Sequence, residues 1–166
     1  IDDRSILAYT NKQVQNYNDF IRGLRGLPYQ LSVGEHLVNN SATEISKDKR
    51  LAVEEEVIVT DVDELIQEHQ FLDGGNFFYT KVILKTKLGG ILELNVPTDR
   101  VHFESLMKYY KSKKIWVNYF FMKNNFPDLR PKDAATVHKA QGSTYNTVYI
   151  DMTNLSRCNQ PTMVSR

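Results

Sequence analysis

Residues 136–151 constrain the fold of this chain more than any other stretch. An apolar strand run gives way to a polar segment that includes His138, Lys139 and Gly142, and a second apolar run, 147–151, follows. The pattern predicts a glycine-containing turn between two buried strands. In open α/β folds such a turn lies at the sheet edge where phosphates and nucleotides bind. The sequence therefore predicts a binding site near the carboxyl end of the chain.

Length and composition indicate a folded globular protein. The chain has 166 residues, of which 41% are apolar and 25% are charged, enough for one core or two small ones. The single cysteine, Cys158, excludes a disulfide framework within the chain and a cysteine-only zinc site. The sequence has no apolar run of membrane-spanning length, and residues 1–4 are not expected to begin a secretory signal. We therefore expect an intracellular, cytoplasmic protein without a membrane partner.

The net charge of +1 argues against binding nucleic acid by bulk attraction, so any such contact has to be local. Lysines and aromatic residues alternate in one stretch: Lys108, Tyr109, Tyr110, Lys111, Lys113, Lys114 and Trp116. A solvated helix face is the ordinary interpretation of such a charge run. The same alternation is also typical of proteins that bind single strands.

The amino-terminal part reads as a strand followed by a helix. Residues 6–9 form a short apolar run, and Thr10 with Gln13 makes a capping box. Apolar residues then recur at helical spacing, which places them on one face of a helix: Val14, Tyr17, Ile21 and Leu24. At the junction of strand and helix, the unpaired backbone N–H groups of the first helical turn could bind a phosphate.

From about Gly34 the pattern becomes mostly β. Strand candidates are residues 36–38, 53–62, 77–86 and 91–96; residues 39–50 read as a polar loop and Leu65–Ile66 as a short helix or turn. The last two strands are joined by 87–90, a glycine hairpin in which Gly90 is expected to need positive φ. A small barrel of the SH3 kind is the economical arrangement. Helical spacing of apolar residues returns after Pro97.

The segment Thr136-Val137-His138-Lys139-Ala140-Gln141-Gly142 closely resembles the fifth conserved motif of superfamily I helicases of the bacteriophage Dda and bacterial RecD type, T-x-H-K-A/S-Q-G. The resemblance implies an α/β fold: an incomplete RecA-like domain of the P-loop NTPase type, interrupted by an SH3-like β-barrel insertion. Residues 1–33 and 128–166 would form the second motor domain, and 34–127 the inserted module with a following helical segment. Ile6 to Asn11 resembles the strand and T-N turn that opens this domain.

The same resemblance assigns roles to individual residues. Thr136, His138 and Lys139, together with Thr10 and Asn11, would hold the nucleic-acid backbone. Gln141, Gly142 and Ser143 would contact ATP and couple its state to the grip on the strand. An amide senses a terminal phosphate by hydrogen bonding, and glycine permits close backbone approach. Thr144 stands where related motifs carry a glutamate, which puts a direct ribose contact in doubt.

Parts of an ATPase are missing from the sequence. It contains no G-x-x-x-x-G-K-[ST] phosphate loop, so ATP and Mg²⁺ would be held mainly by an N-terminal RecA-like domain of the same polypeptide. The run 57–64 superficially resembles a magnesium-binding Asp-Glu strand, yet lies in the predicted β region. Residues 163–166 resemble the sixth motif of the family, in which an apolar strand leads into a Ser/Thr-Arg pair. Here Pro161 interrupts the apolar strand that the motif requires before that pair. Arg166 is therefore not expected to act as a catalytic finger.

The resemblance implies a C-terminal fragment of an ATP-dependent DNA helicase from a bacterial or phage-infected cell. Its expected partner is single-stranded DNA, on which it would translocate 5′ to 3′ and unwind duplex, and replication proteins are a further expected partner. The fragment alone is expected to be inactive. Two alternatives stay open: a stand-alone module that binds nucleic acid or protein, and a part of a viral RNA helicase, since that group has similar T-x-H-x-x-Q-G turns.

Overall fold

The computed structural model describes residues 4–27, 31–46 and 49–156. The fold is mixed α/β, with a three-stranded parallel sheet, a five-stranded antiparallel sheet and a two-stranded ribbon. It divides into two compact units. The terminal unit comprises Ile1–Tyr29 and Pro131–Arg166, and the central unit comprises Gln30–Arg130. No helix in the described parts of the chain is long and apolar enough to cross a membrane.

The strands are β1 (Arg4–Ala8), β2 (His36–Asn39), β3 (Thr43–Ser46), β4 (Lys49–Leu51), β5 (Glu56–Gln70), β6 (Asn76–Thr86), β7 (Ile91–Pro97), β8 (Leu129–Pro131), β9 (Ala134–Thr136) and β10 (Thr147–Ile150). The helices are α1 (Asn11–Leu24), α2 (Arg100–Ser112), α3 (Trp116–Asn125), α4 (Val137–Ala140) and α5 (Met152–Leu155).

In the terminal unit, β1 is the middle strand of the parallel sheet. It pairs with β10 on one side and with β9 on the other, so that Ile6 lies opposite both Tyr149 and Ala134. Strand β10 was predicted to be buried, and this is wrong for the described structure: all four of its residues are exposed. It lies at the edge of the sheet, and an apolar run does not reveal whether another element covers it.

Helix α1 begins where the capping pattern predicts. Thr10 is extended and its hydroxyl oxygen accepts a hydrogen bond from the Gln13 backbone N–H at 3.3 Å. The predicted apolar face is only partly correct, since Leu24 is 73% exposed. The most buried side chain of the helix is Asn18, whose Oδ1 accepts a hydrogen bond from the Ala134 backbone N–H at 2.9 Å. A polar contact thus joins α1 to β9.

The central unit is built on an antiparallel sheet in the order β7-β6-β5-β2-β8. Alternate residues point into a core that contains Leu37, Leu51, Val57, Val59, Val82, Leu84, Leu94, Val96 and Leu129. The predicted SH3-like barrel is not closed: among the described residues, β7 and β8 are the two edges of an open sheet. Closure needs pairing between the outermost strands, and these two do not pair.

Two local predictions for this unit are wrong. The supposed polar loop 39–50 contains β3 and β4, which pair with each other as a short ribbon. Leu65–Ile66 lies inside β5 rather than in a helix or turn. The pairing of β5 with β6 shifts between Val62 and Ile66, and such irregularities break the alternation by which strands are recognised.

The distal part of the β5–β6 ribbon supports a second, aromatic core. Helices α2 and α3 pack there around Phe77, Phe103, Tyr110, Met122 and Phe126. The centroid of the Phe77 ring lies 4.9 Å from the ring centroids of both Phe103 and Phe126, and both contacts are edge to face. Phe77 is therefore a core residue, whereas Phe78 on the opposite face is 48% exposed.

The turn between β5 and β6 fits closely against α2. Tyr110 is fully buried, and its hydroxyl donates a hydrogen bond to Asp73 Oδ1 at 2.9 Å. Burial, followed by this hydrogen bond, raises the pKa of Tyr110 to about 12. A methyl group on Gly75 would lie 2.1 Å from the Tyr110 hydroxyl oxygen. Glycine is therefore required at this point of contact.

A charge cluster joins α2 to the segment that leads into β8. Asp128 accepts hydrogen bonds from Arg100, from Arg130 Nε at 2.9 Å and from Asn40 Nδ2 at 2.7 Å. Burial disfavours the charge on Asp128, but the hydrogen bond from Arg130 and the charge of Arg100 outweigh it and lower its pKa. These contacts hold the end of the central unit in place.

The hairpin between β6 and β7 forms as predicted, with β6 and β7 paired from Lys85 and Ile91 onward. The glycine that needs positive φ is Gly89, at 88°, rather than Gly90. Gly90 instead donates its N–H to Thr86 Oγ1 at 3.0 Å. The two glycines thus have different roles in the same turn.

Candidate functional site

The carboxyl ends of all three parallel strands lie at one edge of the terminal unit. Ala8 is opposite Thr136, and Leu7 is opposite Ile150. The segments that follow these strands therefore emerge side by side, although they are far apart in sequence. This edge is where open parallel sheets bind ligands.

Thr136, predicted to bind nucleic acid, lies under the turn rather than on its surface. The residue is 7% exposed, and its Oγ1 accepts a hydrogen bond from the Lys139 backbone N–H at 3.3 Å. It caps α4 and fixes the direction of the turn. The structure therefore gives Thr136 a supporting position.

His138 and Lys139 follow on α4, and both are exposed. The centroid of the His138 ring lies 6.1 Å from that of Tyr9, which follows β1. This contact joins the turn after β9 to the segment after β1. The two polar segments that were predicted separately are therefore neighbours at one edge.

Gln141, Gly142 and Ser143 form the outer part of the turn, and all three are exposed. The φ of Gly142 is 87°, a conformation that favours glycine, and apart from its two chain neighbours no described residue has an atom within 4 Å of the place where a Cβ would stand. The Ser143 backbone N–H donates to the Ala140 carbonyl at 3.1 Å and closes the turn. The open space beside Gly142 leaves room for a ligand to approach the backbone.

Thr10 and Asn11 lie at the start of α1. Thr10 is half-buried and serves as the N-cap, while Asn11 is exposed on the first helical turn. The residues predicted to bind nucleic acid thus have the same arrangement at the ends of β1 and β9. In each segment a threonine supports the backbone, and the residues beyond it face solvent.

Sequence reasoning missed Asn154, which holds this edge together. Its side chain is 6% exposed, and its Oδ1 accepts hydrogen bonds from the backbone N–H groups of Tyr9 at 2.7 Å and Thr10 at 3.0 Å. Asn154 is positioned by Asp151, whose Oδ1 accepts from the Asn154 N–H at 2.9 Å. The spacing D-x-x-N directly after an apolar run is an N-cap signal that could have drawn attention to this segment.

Asp151 also connects the site to α1. Its Oδ2 accepts a hydrogen bond from the Tyr17 hydroxyl at 2.7 Å. The Asn154 backbone hydrogen bond, followed by that of Tyr17, lowers the pKa of Asp151. The Asp151 carboxylate therefore has a structural role, in which it accepts hydrogen bonds from Tyr17 and Asn154.

The exposed edge offers amide, imidazole and backbone donors together with a lysine: Asn11, His138, Lys139, Gln141 and the backbone around Gly142. Such groups suit the phosphate backbone of a nucleic acid that must be bound without recognition of its bases and then released.

The acidic run 57–64, which superficially resembled a magnesium-binding strand, lies on β5 in the central unit. Among residues 4–27, 31–46 and 49–156, no cluster of three or more His, Cys, Asp or Glu could hold a metal ion. Residues 163–166 lie outside the described residues.

Comparison with known proteins does not assign the chain to a family. No family model matches the sequence, and no curated protein matches it.

Proposed function

We propose that this chain is the C-terminal motor portion of an ATP-dependent DNA helicase that translocates on single-stranded DNA and unwinds duplex. On this proposal the terminal unit is part of a second RecA-like domain, and the central unit is an SH3-like insertion. The parallel sheet with its flanking helices supports the first assignment. Five antiparallel strands with a glycine hairpin support the second.

One observation carries the proposal. The turn 138–143 is exposed at the carboxyl edge of the parallel sheet, beside the segment Thr10–Asn11. A motor domain needs such an edge, because strand contacts and nucleotide contacts have to move together. A turn sealed inside the unit would have excluded this role.

The proposed division of labour follows the two halves of the turn. His138 and Lys139, with Thr10 and Asn11 beside them, contact phosphates of the strand, and Thr136 holds the turn from below. Gln141, Gly142 and Ser143 contact ATP, which is held with Mg²⁺ mainly by an N-terminal RecA-like domain. Closure of the two domains on ATP would then change the grip on the strand.

The proposal is tested by supplying the missing phosphate loop. The reading frame upstream of Ile1 is expected to encode that loop and an Asp-Glu strand. In the polypeptide that contains both, Gln141→Ala is expected to lower ATP hydrolysis stimulated by single-stranded DNA by on the order of tenfold or more, with strand binding kept. His138→Ala is expected to weaken strand binding.

Matched controls are Gln67→Ala and His36→Ala, which remove the same side chains from exposed positions on β5 and β2. The 166-residue chain alone is expected to hydrolyse no ATP. Hydrolysis by the pure chain that disappears in Gln141→Ala would contradict the proposal, as would an upstream frame without a phosphate loop.

A further inference from the structure

The segment between Glu104 and Asp128 is positively charged without any acid. It contains five lysines and no Asp or Glu, whereas the whole chain has a net charge of +1. The two flanking acids are paired with arginines of the central unit. All five lysines are exposed, namely Lys108, Lys111, Lys113, Lys114 and Lys123. The end of the α2–α3 pair is therefore a strong local cationic feature.

An aromatic surface adjoins these lysines. Trp116 and Phe120 lie one turn apart on α3 and are 45% and 47% exposed. Their ring centroids are 6.1 Å apart, with an angle of 33° between the planes. Phe121 differs, because it stacks on His69 with 4.6 Å between the ring centroids. Two flat rings thus remain accessible on the solvent side of a helix whose other side fills the aromatic core.

Lys114 occupies a backbone position that favours glycine. It lies between α2 and α3 with φ of 58°, in the left-handed region. A residue with a Cβ is disfavoured there. Glycine would relieve this strain, but the position carries a lysine, whose exposed side chain adds a charge between the two helices.

We infer that these residues form a second site for single-stranded nucleic acid, on the central unit. The basic aromatic surface is defined as Lys113, Lys114, Trp116, Phe120 and Lys123. Bases stack on Trp116 and Phe120, and the lysines contact the adjoining phosphates. Charge complementarity selects a polyanion, and the accessible rings select one whose base faces are free. A duplex offers phosphates but hides its base faces inside the stack.

This inference does not depend on the helicase proposal. The basic aromatic surface belongs to the central unit, and its binding requires no ATP. Its composition also differs from that of the turn 138–143, which has one lysine and otherwise offers amide, imidazole and backbone donors. The two sites can therefore be removed separately by substitution.

The test uses the only tryptophan of the chain, Trp116, as the reporter. Oligo(dT) is titrated into the 166-residue protein at low salt and the tryptophan fluorescence is followed. Stacking is expected to quench the emission, and affinity is expected to fall as salt rises. Lys113→Gln and Lys114→Gln should each reduce the magnitude of the negative slope of log K against log [salt] by about 0.7. Phe120→Leu, which keeps apolar area but removes the flat ring, should weaken binding on the order of tenfold.

The control is Lys87→Gln, the same charge change at the other end of the β6 strand from the aromatic core. Circular dichroism confirms that each variant is folded. Loss of affinity in the surface variants with Lys87→Gln unchanged supports the inference. No quenching at low salt, an equal effect of Lys87→Gln, or tighter binding of duplex or of anionic lipid vesicles than of oligo(dT) would overturn it.

Discussion

Asp128 shows how one side chain can stabilise several segments of the central unit. Only 19% of its side chain is exposed, and it accepts hydrogen bonds from two arginines and an asparagine. Replacement by a neutral residue would leave Arg100 and Arg130 with a weaker partner. Since hydrogen bonds to charged groups contribute more than neutral ones, the charge of Asp128 should be visible in stability.

Asp128→Asn is expected to lower the free energy of unfolding by about 2 kcal/mol at neutral pH. The folded state lowers the pKa of Asp128 below its ordinary 3.8, so its contribution is complete above that value. It is lost as pH falls through the lowered pKa, because both states then bind the proton. Urea unfolding at pH 7 and at steps below pH 3.8 checks this, with Asp61→Asn on the exposed part of β5 as control. A difference that does not shrink in acid would contradict the assignment.

At the scale of elements, the β5–β6 turn fits tightly against α2. Gly75 and Tyr110 meet there with no space for a methyl group. The Tyr110 ring is fully buried, so it has little freedom to withdraw. The attachment of the helical pair to the ribbon therefore depends on the size of one side chain.

Gly75→Ala is expected to destabilise the protein by about 2 kcal/mol, because the new methyl group displaces the Tyr110 hydroxyl. Tyr110→Phe alone should cost about 1 kcal/mol through its lost hydrogen bond to Asp73. In combination, removal of the hydroxyl makes room for the methyl group, so the double variant should be more stable than the two single costs predict. Strict additivity in a thermal or urea unfolding series would show that the two groups do not meet.

Features set by neighbouring residues could be predicted from the sequence. The Thr10 cap, the β6–β7 hairpin and the exposed turn 138–143 depend on local spacing and turn residues. Features set by distant partners could not. Asn154 holds backbone groups 145 and 144 residues away, and no local pattern encodes such a pairing. The exposure of β10 was missed for the same reason.

At the scale of the molecule, the two units differ in how much apolar surface they bury. In the described residues of the terminal unit, the buried hydrophobic residues are Ala8, Ala134 and Leu155. Several buried residues there are polar, including Asn18 and Asn154. The central unit has an aliphatic core and an aromatic core. Because apolar burial supplies most of the stabilising free energy, the terminal unit should open more readily.

Hydrogen exchange of the isolated chain should therefore distinguish the two sheets. Amides of β1 and β9 are expected to be protected at least about tenfold less than those at the centre of β5 and β6. Mass spectrometry with peptide resolution measures this, and the edge strands β7 and β10 serve as a matched comparison. Equal protection of the two sheets would contradict the difference in opening free energy.

The position of β1 has a consequence for biosynthesis. As the chain leaves the ribosome, β1 is made well before both of its sheet partners, β9 and β10. Within the central unit, β2 and β8 are neighbouring strands. Once this unit has folded, the chain that comes before β2 and the chain that follows β8 therefore start from neighbouring positions. This shortens the effective loop and lowers the entropic barrier to the late pairing. Until then β1 is a nascent strand without its partners, and that interval is when chaperones would have most to offer.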